Sequence, residues 1–165
     1  KNKIKYKNKN LFIKKIDIKN DLKLIDKIIK KYSPLRLFYF PTTKIFFDRK
    51  IENKLVREYV KFYISFPLKI LKKNKNKKIS FFYPSTKHIE FDRKSVYSRV
   101  KMKAEKEIKN YCDKNKIPLY IQRYPAINSR QSLSLANRFL PNLNEYLNNN
   151  KKSLDKIFLE NITNA

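Results

Sequence analysis

Not one of the 165 residues is glycine. Glycine is the residue that enters the left-handed backbone region at no steric cost, so its absence narrows both turns and sites. Tight type I′ hairpin turns must be made with Asn or Asp. A Walker loop and a dinucleotide fingerprint both need glycine where backbone approaches phosphate closely, so neither can be written in this sequence. The GXXG loop of a KH module is excluded for the same reason. No cofactor is expected on these grounds.

Charge narrows the reading further. There are 41 Lys and Arg against 14 Asp and Glu, a formal net charge of +27. Such a chain repels itself, and its counter-charge has to come from a partner. Ribosomal RNA, DNA and anionic membrane are the partners that suit a field of this sign. A hydrophobic fraction of 41%, with 14% aromatic residues, is enough for one modest core rather than a disordered basic tail.

Cys112 and His88 are the single cysteine and histidine. An intramolecular disulfide and a Cys/His zinc site are therefore impossible within the chain. The carboxylates are scattered, mostly at helix starts beside Lys, and do not form the clusters that metal-dependent nucleases use. No catalytic residue, no metal, no small-molecule substrate and no enzyme activity are expected. The apolar stretches near 37–47 and 60–71 are broken by Lys and Pro. They fall short of the roughly 20 apolar residues that cross a bilayer. The opening KNKIKYKNKN has neither an apolar signal core nor the Arg/Ser bias of a transit peptide, and an organelle-encoded protein would need neither.

Periodicity predicts an alternation of strands and helices. Residues 1–10 read as a basic arm, 11–140 as one α/β domain, and 141–165 as a helical extension. Strands are expected at Leu11–Ile18, Leu35–Phe40, Lys44–Phe47, Leu68–Leu71, Ile79–Tyr83 and Ile117–Gln122. The segment after Pro84, which holds His88, also reads as a strand. Helices are expected over Asp21–Tyr32, Ile51–Ile64, Arg93–Cys112 and Ser129–Leu140. The fold class is α/β or α+β, a small mixed sheet with amphipathic helices packed on it. Residues 72–78, KKNKNKK, join two expected strands and suggest a hairpin.

One stretch occurs twice. YFPTTKIFFDRK at Tyr39–Lys50 is echoed by FYPSTKHIEFDRK at Phe82–Lys94. Each copy predicts a turn at its Pro, a short strand, and an Asp that caps the following helix, with Ser95 as the alternative cap to Asp92 in the second copy. The implied repeat covers residues 35–64 and 79–112.

The abundance of Lys, Asn, Ile, Phe and Tyr is that of AT-rich coding. In composition and charge the chain resembles a mitochondrial ribosomal protein of a protist such as a ciliate. Pro84, Thr86 and Lys87 resemble a loop of the ribosomal protein uS10 family, but the downstream Arg-Ser-Pro-His signature is missing and the family is not carried over. The resemblance implies a structural constituent of an organellar ribosome in the mitochondrial matrix, with ribosomal RNA and neighbouring ribosomal proteins as partners. A basic accessory subunit of another organellar assembly, such as a respiratory complex contacting anionic lipid, is the alternative. RNA contacts are expected from Lys1, Lys3, Lys5, Lys7, Arg36, Lys44, Arg49, Lys50, Lys72, Lys73, Lys75, Lys77 and Lys78. The second half adds Lys87, His88, Arg93, Lys94, Arg99, Arg123 and Arg130. Phosphate contacts of this kind fix position and carry little sequence information.

Overall fold

The computed structural model describes residues 14–32, 35–43, 45, 53–125 and 145. The elements run α1 (Leu22–Tyr32), β1 (Leu35–Phe38), α2 (Asn53–Val60), a π-helical turn (Lys61–Ser65), α3 (Phe66–Lys73), β2 (Ile79–Thr86), α4 (His88–Phe91), α5 (Val96–Lys114) and β3 (Leu119–Tyr124). The three strands form one sheet in the order β1-β2-β3, and both pairings are parallel. The expected small sheet with helices packed on it is what the chain builds.

The expected hairpin at residues 72–78 is not. Leu68–Leu71 belongs to α3, and the basic segment closes that helix before β2 begins. Parallel strands need a crossover rather than a hairpin, and here the crossover consists of α2, the π turn and α3. The apolar run from Phe62 to Leu71 is a buried helix, which a short apolar run alone does not distinguish from a strand. Likewise residues 14–17 have no regular structure, and His88 lies in the short helix α4, not in a strand.

α1 follows its expected stripe, with Ile29 buried and Leu22 and Ile25 packed against the core. The Asp21 carboxylate accepts from the backbone N–H of Asp17 at 2.8 Å, which ties down the chain entering the helix. On α5 the buried positions Tyr97, Ser98, Val100, Lys101, Ala104, Ile108 and Cys112 repeat at helical spacing. Together with Phe81 and Tyr83 of β2 and residues of the π turn they make one core. Ser95 caps α5, its hydroxyl accepting from the Ser98 N–H at 3.2 Å. Asp92 was expected near this cap. It instead ends α4 and accepts from the N–H groups of Lys94 and Ser95, a turn that delivers the chain to the cap.

The two copies of the repeated stretch differ at their prolines. Pro41 lies beyond the end of β1, whereas Pro84 sits inside β2, opposite Gln122. Most of the first copy beyond Thr43, including Asp48, falls outside the described residues. In the second copy no strand ends near Phe91; β2 has already ended at Thr86.

Pro84 is tolerated in the central strand for a geometric reason. β1 stops opposite Phe82, and the Tyr39 N–H makes a last bond to the Phe82 carbonyl at 3.0 Å. Odd residues of β2 face β3 with their backbone groups, as in the Phe81 N–H to Pro118 carbonyl bond at 2.8 Å. Pro84 therefore turns its missing N–H toward the side where no strand remains. Pro118 stands just before edge strand β3 and supplies only its carbonyl, which a proline can do.

Ile108→Ala removes a fully buried side chain beneath the sheet. The expected loss is about 2–5 kcal/mol, measured by urea unfolding. Ser95→Ala, which removes the cap of α5 and the hydroxyl contact with Ser98 at 2.9 Å, should lose about 1 kcal/mol.

Candidate functional site

Open parallel sheets bind ligands beyond the carboxyl ends of their strands. At that end β2 delivers Ser85 and Thr86, and the first turns of α5 deliver Tyr97 and Lys101. Tyr97 and Lys101 are four residues apart, so they lie one above the other on one helix face.

Lys101 is buried, with 4% of its surface exposed. Its ammonium donates to the Pro84 carbonyl at 2.7 Å and to the Tyr83 hydroxyl at 3.3 Å. It also lies over the rings of Tyr83 and Tyr63, 4.5 and 4.6 Å from their centroids. Burial pushes its pKa down to about 7, against which the charge of Glu105 pulls upward. The Pro84 carbonyl is free to accept because β1 has ended.

Tyr63 reaches this position through the π turn. The Phe66 N–H bonds to the Lys61 carbonyl, five residues back, which leaves the Phe62 carbonyl without that partner. Pro67 has no N–H, so it cannot bond the Tyr63 carbonyl four residues back. Both carbonyls are satisfied by phenols: the Tyr39 hydroxyl donates to Phe62 at 2.6 Å and the Tyr83 hydroxyl to Tyr63 at 3.1 Å. The Tyr63 hydroxyl meets Thr42 at 2.8 Å. The wider turn puts Phe62, Tyr63 and Ile64 all into the core.

Tyr97 packs edge-on to Tyr63 and Tyr59, at centroid distances of 5.7 and 5.8 Å. Burial, more than the neighbouring tyrosines, holds its pKa well above that of a free phenol, and a hydrogen bond with Thr86 opposes the rise. It is a neutral phenol at physiological pH. Tyr39, Tyr63 and Tyr83 are shifted the same way by burial, Tyr63 to about 12.

One turn further along α5, Glu105 forms a bidentate pair with Arg123 of β3, at 3.0 and 2.7 Å. Burial alone would raise the Glu105 pKa. Hydrogen bonds from Arg123, with the charges of Arg123 and Lys101, hold it below the usual carboxylate range. Arg123 also reaches Glu90 of α4 at 3.4 Å, and its own pKa is raised first by the Glu105 hydrogen bond. The residue read from sequence as a phosphate contact is thus committed to two carboxylates.

Among the described residues the other expected contacts are not gathered on one surface. Lys72, Lys73, Lys75, Lys77 and Lys78 are exposed before β2 starts, and Lys73 pairs with Asp26 at 3.0 Å. Lys87, Arg93, Lys94 and Arg99 are exposed beyond its other end, across eight residues of strand, roughly 26 Å. Arg36 is exposed on β1. His88 is half-buried, its Nε2 3.7 Å from Asp92. Lys1, Lys3, Lys5, Lys7, Lys44, Lys50, Arg49 and Arg130 lie outside the described residues. Sequence reasoning did not single out Lys101. Its signal was the stripe itself: Tyr97 and Lys101 fall in step with Val100, Ala104 and Ile108.

Among the described residues no three His, Cys, Asp or Glu side chains gather where a metal ion would sit. No described helix is long and apolar enough to cross a membrane.

Two consecutive crossovers between parallel strands define a Rossmann-like α/β unit. A UDP-glucuronic acid 4-epimerase from Bacillus cereus, solved in complex with NAD, shares this fold at a TM-score of 0.52 and 20% identity. The match covers 71% of this chain, and the chain spans 39% of the epimerase. No family model matches the sequence. No curated protein sequence matches it either. The fold likeness overturns the expected structural constituent of an organellar ribosome: the architecture is a Rossmann-like α/β unit, shared with the epimerase. Net charge was the ground for the ribosomal reading, and charge speaks to partners in general rather than to fold.

The described residues do not fit a dinucleotide of the kind bound by that epimerase. There is no glycine for a pyrophosphate turn. The strand order β1-β2-β3 has no reversal, and it is at such a reversal that open sheets seat dinucleotides.

The low Lys101 pKa makes a signed prediction. Between pH 7 and 10 the unfolded chain binds a proton at Lys101 that the folded chain lacks, so wild-type stability should rise across that window. Above pH 10 unfolded tyrosines lose protons that the buried ones keep, and stability should fall again. Urea unfolding at pH 7 and 9.5 should show a rise in wild type and a flatter response in Lys101→Met.

Proposed function

We propose that the chain is a Rossmann-like catalytic unit that moves a proton at a hydroxyl or carbonyl oxygen of a small polar substrate. The observation that carries this reading is Tyr97 and Lys101 one turn apart on the same buried face of α5, at the carboxyl end of the central strand. In this role Tyr97 is the proton donor, since burial keeps its phenol neutral. Thr86 orients the hydroxyl. Lys101 sets the local field: its charge, where present, favours phenolate as the proton leaves. Sugar nucleotides are the substrate class to try first, because the fold neighbour is named for one.

A second reading is favoured by two observations, the absence of glycine and the closure of the Tyr63 and Tyr83 rings over Lys101. In it the same unit is a non-catalytic domain, and Lys101 serves packing alone.

One experiment separates the two. The full chain is incubated with UDP-glucuronic acid and added NAD, which serves as the hydride acceptor that epimerisation requires, and epimer formation is followed by proton NMR. Catalysis predicts turnover that drops about 10²- to 10⁴-fold in Tyr97→Phe, while the melting temperature barely moves. Equal turnover by wild type and Tyr97→Phe overturns the role given to Tyr97, and no turnover by either leaves the non-catalytic reading.

A further inference from the structure

On the flank of α5 away from the Tyr97–Lys101 pair lies a groove of about 540 Å³, bounded by Met102, Glu105, Lys106 and Lys109 of α5 and by Ile121 and Arg123 of β3. β3 is an edge of the described sheet, so the groove is open along one side. Its size falls within the range of ligand pockets. We propose that it binds an organic phosphate monoester with an apolar body.

The floor supplies the apolar part. Met102 and Ile121 are partly buried, and Met is adaptable in shape. The wall beside them is electrically quiet, because Glu105 and Arg123 neutralise each other in their bidentate pair. The rim supplies charge. Lys106 and Lys109 are three residues apart and share one helix flank. Lys106 makes no ion pair among the described residues. Lys109 holds Asp113 at 2.6 Å, but both side chains are largely exposed, and an exposed pair of this kind contributes little. Two adjacent ammonium groups over an uncharged apolar floor match a dianionic head on a hydrocarbon or aromatic body. A single carboxylate would satisfy only one of them.

The probe is octyl phosphate, titrated into the full chain by calorimetry, with methyl NMR of Met102 and Ile121 as the site-resolved readout. Saturable binding that shifts both methyl sets is expected. Octanol, inorganic phosphate and octanoate should each bind at least tenfold more weakly. Lys106→Glu with Lys109→Glu should weaken octyl phosphate at least tenfold, while Lys72→Glu with Lys75→Glu should change it less than twofold. Met102→Trp, which fills the groove without changing charge, should also abolish binding. Four results would overturn the proposal: octanoate or inorganic phosphate binding as tightly, equal loss in both charge-reversed variants, unaltered binding in Met102→Trp, or no saturation at all.

Discussion

The interaction on which this structure turns is the burial of one ammonium group. Lys101 stands where an isolated cation is costly, and three kinds of partner offset that cost: a backbone carbonyl, a phenol oxygen and the faces of two tyrosine rings. Each partner has a backbone cause. The Pro84 carbonyl is available because β1 ends two residues earlier in register. The Tyr63 ring is available because the π turn rotates it inward. The Tyr83 hydroxyl is held by the Tyr63 carbonyl, which Pro67 leaves unclaimed. Two prolines and one irregular turn thus build the cage. Moving any of them would strand the charge, and an unpaired buried charge costs more than a lost contact.

This cage also explains which parts of the fold were legible in the sequence. The apolar stripes of α1 and α5 were readable, because a helical period of three to four residues survives over many positions. Pro118 was readable as the approach to an edge strand. Pro84 was misleading. Locally a proline ends a strand, and only the register with β1 reveals that its missing N–H lies beyond the last paired residue of β1. Leu68–Leu71 was misleading too, since a short apolar run is the same whether it pairs in a sheet or packs as a helix. Orientation was out of reach for a similar reason: parallel pairing is set by the crossover, which has no local signature.

The candidate site was harder to read than the fold. Lysines outnumber every other residue type that carries charge, so one more lysine in α5 looked like one more solvated group. What distinguishes Lys101 is phase, not type. It shares the phase of Val100, Ala104 and Ile108, whereas Lys103, Lys106 and Lys109 do not. Arg123 was a related case. Its two carboxylate partners, Glu105 and Glu90, are 18 and 33 residues away in sequence, so no local pattern pairs them.

Charge and fold therefore report on different things in this molecule. Among the described residues the exposed basic side chains lie at opposite ends of the sheet and are not gathered into one face. The chemistry-bearing groups are instead the few that were taken out of water. Burial keeps Tyr97 protonated and lowers the affinity of Lys101 for its proton, so the two titrate further apart from their ordinary values than solvated groups would. Such separation follows from folding a phenol and an amine onto the same helix face at the end of a parallel strand. It is independent of how many lysines cover the outside.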